Sequence, residues 1–319
     1  MSLKLLETIH QQIDRGLYHG ASLALFQSGK WQEYYIGTVD GKQKVREDMV
    51  YDLASVSKVI GVATMCIFLV NSGALHLDFP LKYYYPAVVN EMVTLRQLLT
   101  HTSGLDPYIP NRDNLNAEQL KQALNQLTQK EDQSFHYTDV NFLLLGFMLE
   151  ELFGQSLDHL FKERIFTPFG MSQTSFGPRR EALPTRRGIS DGQVHNPKAR
   201  VLKEHAGSAG LFSTLKDLQL FLEHYLEDDF SDSLFRDYSG TAKSRSLGWN
   251  LERDWIDHTG YTGPFIMLNK NEGQAAIFLT NRTFETDDRP LWIAERRLIR
   301  DAILESFTKT KQEGLDKTV

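Results

Sequence analysis

The chain has 319 residues, enough for one large domain or two packed ones around a sizeable core. Hydrophobic residues make up 41% and charged residues 24%, as in soluble globular enzymes, and the net charge is −6. That balance, with no basic run interleaved with aromatics, excludes nucleic acid or an anionic membrane surface as the main partner.

No secretory signal is visible at the start. Lys4, Glu7, Asp14 and Arg15 sit among periodic leucines and isoleucines, which predicts an amphipathic helix over 3–15 stopped by Gly16. A cytoplasmic location is expected, unless a leader or anchor has been removed. Residues 21–26 and 31–36 read as a strand pair around the turn Gln27-Ser28-Gly29-Lys30. A long helix is predicted from Ser55 to Ser72, closed by Gly73 in left-handed geometry. Its apolar stretch, Val59 to Val70, is interrupted by Thr64 and is too short for a bilayer, so no integral membrane segment is expected. Cys66, the sole cysteine, cannot form an internal disulfide and reads as a small core residue.

Residues 78–170 carry helical patterns at 94–100, 117–128, 141–153 and 157–166. Residues 172–206 have little periodicity and read as a long surface excursion. Helical spacing returns at 214–225, with Thr214 or Ser213 as N-cap. Strands are expected at 247–251, 261–269 and 274–280, the last two joined by Asn271-Glu272-Gly273, then an amphipathic helix at 290–307. Strands at both ends with helices between them predict an α+β fold. An antiparallel sheet built from both termini and flanked by terminal helices sits beside an all-helical lobe, with the active site in the cleft. The chain is expected to form one unit over 1–319. Its α/β lobe covers about 1–50 and 185–310, its helical lobe about 51–184, and 311–319 form a polar tail.

Ser55-Val56-Ser57-Lys58 carries the chemistry. Residues three apart share a helix face, so the Ser55 hydroxyl and the Lys58 amine can meet. Serine becomes nucleophilic when a neighbour takes its proton, and lysine serves if burial or a helix N-terminus lowers its pKa. Three further segments stand out. His101, in Leu98-Leu99-Thr100-His101-Thr102-Ser103-Gly104-Leu105, reads as a structural loop histidine ahead of a second base. Tyr137 either packs or shuttles protons with Lys58, and Asp139 suits the N-cap of the next helix. His258-Thr259-Gly260-Tyr261 opens an expected strand, where Gly260 admits a close backbone or ligand and an edge N–H can face an oxyanion.

Taken in order, these segments resemble the penicillin-recognising serine hydrolases, and within them the class C β-lactamase-like group with its DD-peptidases, D-aminopeptidases and carboxylesterases. Supporting matches include Gly20-Ala21-Ser22, Gly73 to Asp78, Phe169-Gly170-Met171, Ala206 to Thr214 and Phe278 to Arg282. The resemblance implies the β-lactamase/transpeptidase-like fold. It also implies Ser55 as acylated nucleophile, Lys58 as its activating partner and Tyr137 as proton shuttle. His258, Thr259 and Gly260 would line the facing strand, and the N–H groups of Ser55 and Tyr261 would form the oxyanion hole.

Two departures bear on substrate. Asp139 stands where many β-lactamases carry Asn, and His258 replaces a lysine. Histidine, with an ordinary pKa of about 6.5, is only partly charged at neutral pH. Both changes are expected to weaken attraction for a carboxylate, while Arg282 is weighed as restoring it or as a surface residue. The expected activity is serine hydrolysis through an acyl-enzyme, on a small ester, a β-lactam or a D-amino-acid peptide, with esterase or peptidase ahead of β-lactamase. A penicillin-binding sensor without turnover is the rival. No cofactor and no metal is expected.

Overall fold

The computed structural model describes residues 2–315. Ser2 caps α1 (Leu3–Asp14) by accepting from the Leu5 N–H, and Gly16, at φ +74°, follows its end. β1 (Gly20–Gln27) and β2 (Lys30–Gly37) form a hairpin through Ser28 and Gly29, both at positive φ. Two such residues give a two-residue turn the twist its strands need. Then follow β3 (Val50–Asp52), α2 (Thr64–Asn71), α3 (Leu81–Tyr84), α4 (Leu95–Thr100), α5 (Ala117–Asn125), α6 (Val140–Phe153) and α7 (Leu157–Phe161). The chain continues with β4 (Ser175–Phe176), α8 (Pro197–Leu202), β5 (Leu211–Thr214) and α9 (Leu215–Glu227). β6 (Asn250–Glu252), β7 (Trp255–Thr259), β8 (Phe265–Asn269), β9 (Gln274–Leu279) and α10 (Arg289–Leu315) complete it.

The main sheet runs β2–β1–β9–β8–β7–β6, antiparallel throughout, so the first strands pair with the last. Alternation along the strands splits the core. Leu23, Phe265, Met267 and Phe278 face α1 and α10, packing with Leu5, Ile9, Trp292 and Ile303. Ala24, Ile256, Ile266 and Ile277 face the other way and join the core of the helical lobe. This is the expected β-lactamase/transpeptidase-like α+β arrangement. A second, small sheet, β3–β5–β4, ties the start of the helical lobe to the strand before α9.

Four local expectations change. The segment from Ser55 is not a uniform α-helix: a 3-10 turn (Ala54–Val56) and a widened π segment (Val59–Ala63) precede α2. The edge of Phe161 presses where a Cβ on Gly61 would lie, 2.3 Å away. By length and composition Ala54–Asn71 is apolar enough to cross a membrane, but 72% of it is buried inside the protein, as suits a core helix. The strand expected from 261 begins at Phe265, and the unpredicted β7 ends at Thr259. Between them the chain turns, with Gly260 N–H donating to Pro264 O and Gly263 at φ +128°. The surface excursion of 172–206 instead contributes β4 and α8. α10 continues through Leu315, so the polar tail expected from 311 starts as helix, and 316–319 lie outside the described residues.

Glycines let α6 meet the 206–210 loop backbone to backbone. A Cβ on Gly207 would lie 2.3 Å from Phe142 O and 2.9 Å from Val62 Cγ2. Gly207→Ala is therefore expected to cost about 2 kcal/mol through overpacking, seen as a lower urea midpoint with an unchanged slope.

Candidate active site

Ser55 sits in the 3-10 turn, and Lys58, three residues on at the start of the π segment, brings its side chain back to it. Lys58 Nζ donates to Ser55 Oγ at 2.9 Å, Asp139 Oδ1 at 2.8 Å and Ser208 O at 2.7 Å. Lys58 is fully buried, and its three N–H bonds meet three acceptors from separate parts of the chain.

The expectation of a lowered lysine pKa is corrected by this geometry. Burial alone would lower it, but Asp139, and then Tyr137, outweigh burial and raise Lys58 above its ordinary value. Asp139 stands at the N-cap position of α6, as expected, but its carboxylate makes no capping bond. It takes Lys58 on one oxygen, and Asn196 Nδ2 at 3.1 Å and Lys198 Nζ at 3.2 Å on the other. Burial opposes its ionisation, yet Lys58 and then Lys198 hold its carboxyl well below the usual range.

Tyr137 faces the cleft, about one-third exposed, with Lys58 Nζ 5.3 Å from its ring centroid. Its ring lies 4.5 Å from that of His101 and 6.3 Å from that of His258. His101 is the left-handed cap of α4, at φ +58°. Its carbonyl accepts from His136 N–H, and its Nδ1 lies 3.4 Å from Thr138 N, so it fixes the approach to Tyr137. Burial, then Arg245 and Lys58, push His101 well below its ordinary pKa. His258 is likewise buried and pushed well below its ordinary value by burial, then Lys58 and Arg245. The expected partial positive charge at 258 is thus absent at neutral pH, and His258 presents a neutral imidazole.

The close approach expected at Gly260 is made by the nucleophile's own loop: a Cβ there would lie 2.6 Å from Leu53 O. Ala54, next to Ser55, holds φ +46°, a strained value for a residue with a side chain. Asp52 clamps that turn, accepting from Ala54 N–H at 2.8 Å and His195 N–H at 2.7 Å. Tyr261 lies in the turn after β7, with its carbonyl bonded to Arg282 Nε at 2.9 Å and its hydroxyl to Asp287 at 2.7 Å.

Ser55, Tyr137, His258, Thr259, Gly260 and Tyr261 line one cleft of about 660 Å³. The cleft wraps the end of β7 toward α10, where Arg282, Arg289 and Arg296 join its lining. Arg282 is buried, not a surface residue: Nη1 pairs with Asp287 at 2.9 Å, while Nη2 has no partner among the described residues. Sequence reasoning missed Asn196, Lys198, Arg289 and Arg296. The first two sit in a stretch without periodicity, and the arginines fall on an ordinary amphipathic helix.

The family profile described as Beta-lactamase matches residues 6–300. A protein of Escherichia coli K12 named "Putative D-alanyl-D-alanine carboxypeptidase" is 27% identical, over 86% of this chain and 80% of its own. The N-acetylmuramyl-L-alanine amidase of Bacillus subtilis is 22% identical, over 88% and 82%. Among solved structures, a beta-lactamase from Sulfitobacter sp. EE-36 superposes with a TM-score of 0.77 at 18% identity, covering 96% of this chain and 97% of its own. A beta-lactamase/D-alanine carboxypeptidase from Pseudomonas syringae gives 0.75 at 18% identity, covering 95% and 98%. With the profile matched over nearly all of the chain and the fold shared end to end, this protein belongs to the beta-lactamase family of serine hydrolases.

Proposed function

We propose that the protein hydrolyses a peptide or ester bearing a carboxylate, of the D-alanyl-D-alanine type, through an acyl-enzyme on Ser55. The observation that carries the chemistry is the bond from Lys58 Nζ to Ser55 Oγ, made inside a cleft that also holds Tyr137. Lys58 is an ammonium at rest, so it first releases a proton to solvent; the free amine then takes the Ser55 proton as Oγ bonds to the substrate carbonyl carbon. Tyr137, beside it, takes part in moving that proton to the leaving group and later activates water. The N–H groups of Ser55 and Tyr261 are the proposed oxyanion donors, since both residues line the cleft at the end of β7.

The carboxylate preference rests on the α10 side of the cleft. Arg300 is shared with Glu252 and Asp257, and Arg282 with Asp287, but Arg296 has no ion pair within 4 Å among the described residues. Asp139 is offset by two lysines and does not present a free negative charge to a substrate. The name of the Escherichia coli relative agrees with such a substrate.

The test offers a D-Ala-D-Ala peptide, its C-terminal amide, a neutral nitrophenyl ester and a chromogenic cephalosporin, each beside Ser55→Ala. Turnover of the free acid above the amide, lost in Ser55→Ala, is the expected result. Ester turnover alone would make it an esterase, and a lasting cephalosporin adduct without turnover would make it a sensor. Arg296→Ala should raise KM about tenfold or more for the acid peptide, the scale of one charged hydrogen bond, and leave the neutral ester unchanged.

The pH dependence follows from the raised Lys58 value. The ammonium keeps its proton through neutral pH and loses it only as pH climbs past the ordinary lysine range. Ester kcat/KM should therefore still be rising on the alkaline side of neutral. Asp139→Asn removes the main cause of the raise, so the rising limb should move to lower pH in a full pH–rate profile.

A further inference from the structure

Asp139 is held from two sides. Oδ1 accepts from Lys58 at 2.8 Å, and Oδ2 faces Lys198 Nζ at 3.2 Å and Asn196 Nδ2 at 3.1 Å. Lys198 projects from α8, which starts at Pro197 with Asn196 as its N-cap, its side-chain oxygen accepting from Ala199 N–H. Asn196 therefore spends its oxygen on the helix and its amide on Asp139, which fixes where α8 delivers Lys198. The Lys198 side chain is largely buried, 18% exposed, and lies outside the cleft that Ser55 lines. It is a cation built onto the back of the carboxylate that holds the nucleophile's partner.

We propose that Lys198 is a positioning residue for Lys58: by sharing Asp139 it limits how tightly that carboxylate retains the Lys58 proton. The inference rests on the acyl-enzyme reading above only for its kinetic readout. Two cations on one carboxylate divide its field, so Lys58 faces a partly neutralised partner instead of a full negative charge. Other charged or titratable groups around Lys58 are Tyr137, His101, His258 and Arg245. Both imidazoles are neutral, and Arg245 is buried and bonded to Asn250 and Gly248 O. Asp139 is thus the one carboxylate in hydrogen-bond contact with Lys58 among the described residues, and Lys198 its second ammonium.

The test compares Lys198→Met, Lys198→Arg, Asp139→Asn and the double variant Asp139→Asn/Lys198→Met. Removing Lys198 should carry the rising limb of kcat/KM upward by about one pH unit, so that activity at neutral pH falls roughly tenfold. Lys198→Arg, which keeps the charge, should recover most of that loss. In the Asp139→Asn background Lys198→Met should have little further effect, because the carboxylate through which it acts is gone. A direct readout independent of substrate is the 13Cε resonance of Lys58, identified by its loss in Lys58→Arg and followed from neutral pH upward. It should titrate later in Lys198→Met than in the parent. A Lys58 titration unmoved by Lys198→Met, or moved equally with and without Asp139, overturns the proposal. Absence of any Ser55-dependent turnover in the parent would instead sink the hydrolase reading, and the Lys58 titration would still decide this one.

Discussion

A buried ammonium with every N–H committed is the constraint around which this molecule is arranged. Removing a charge from water costs several kcal/mol even after the surroundings relax, and Lys58 is fully buried. The cost is offset because Ser55, Asp139 and Ser208 supply three acceptors at 2.7–2.9 Å. Those residues come from the 3-10 turn, the start of α6 and the loop before β5, so their convergence demands close backbone packing. Gly207 and Gly146 allow it: a Cβ on Gly146 would lie 3.1 Å from the Gly207 Cα. The carboxylate at 139 follows from the same requirement. An amide there would remove the cation's counter-charge, and because an unpaired buried ion is far more costly than a paired one, the neutral amine would be favoured.

The same ammonium shapes its surroundings. The rings of His101 and His258 lie 4.5 and 6.3 Å from the Tyr137 ring, and both are driven neutral by burial and by positive neighbours. Positive charge at the cleft therefore comes from Lys58 beside the nucleophile and, away from it, from Lys243 and the arginines on the α10 side. A substrate with a carbonyl near one and a carboxylate near the other would be oriented before any bond changes, which is where much catalytic advantage arises. His258 adds a polarisable, uncharged wall between them.

Much of this was legible locally. The Ser55–Lys58 spacing, the Ser28-Gly29 turn, the Thr214 cap, Gly16 and Gly73 each act within a few residues, and each stands where short-range rules put it. Errors came where distant contacts overrode local preference. Asp139 occupies a good capping position, but a buried lysine 81 residues away in sequence competes for its carboxylate and wins. β7 is short, and its pairing with β8 is set by the register of Asp257 with Met267, which no local periodicity announces. Arg282 reads as surface because arginine normally is, yet the Tyr261 carbonyl and Asp287 draw it inside.

The segment before α8 then takes on a significance its composition hides. His195 donates its N–H to Asp52, Asn196 donates its amide to Asp139, and Lys198 pairs with the same Asp139. Asp52 in turn holds Ala54 at positive φ directly before Ser55. Burial raises Asp52 to about 6, against the two N–H donors that favour its ionised form. Its folded-state pKa is thus above the unfolded value, so the stability it contributes is greatest below the ordinary aspartate range and is lost as pH rises through about 6. Ionised Asp52 is the form that accepts best on both oxygens, so the clamp tightens where that stability is given up. Three residues within 195–198 therefore reach both the strained backbone beneath the nucleophile and the counter-ion of its lysine. A displacement of this short stretch would disturb the Ser55 backbone and the Lys58 proton together, which is why an apparently patternless segment belongs to the site.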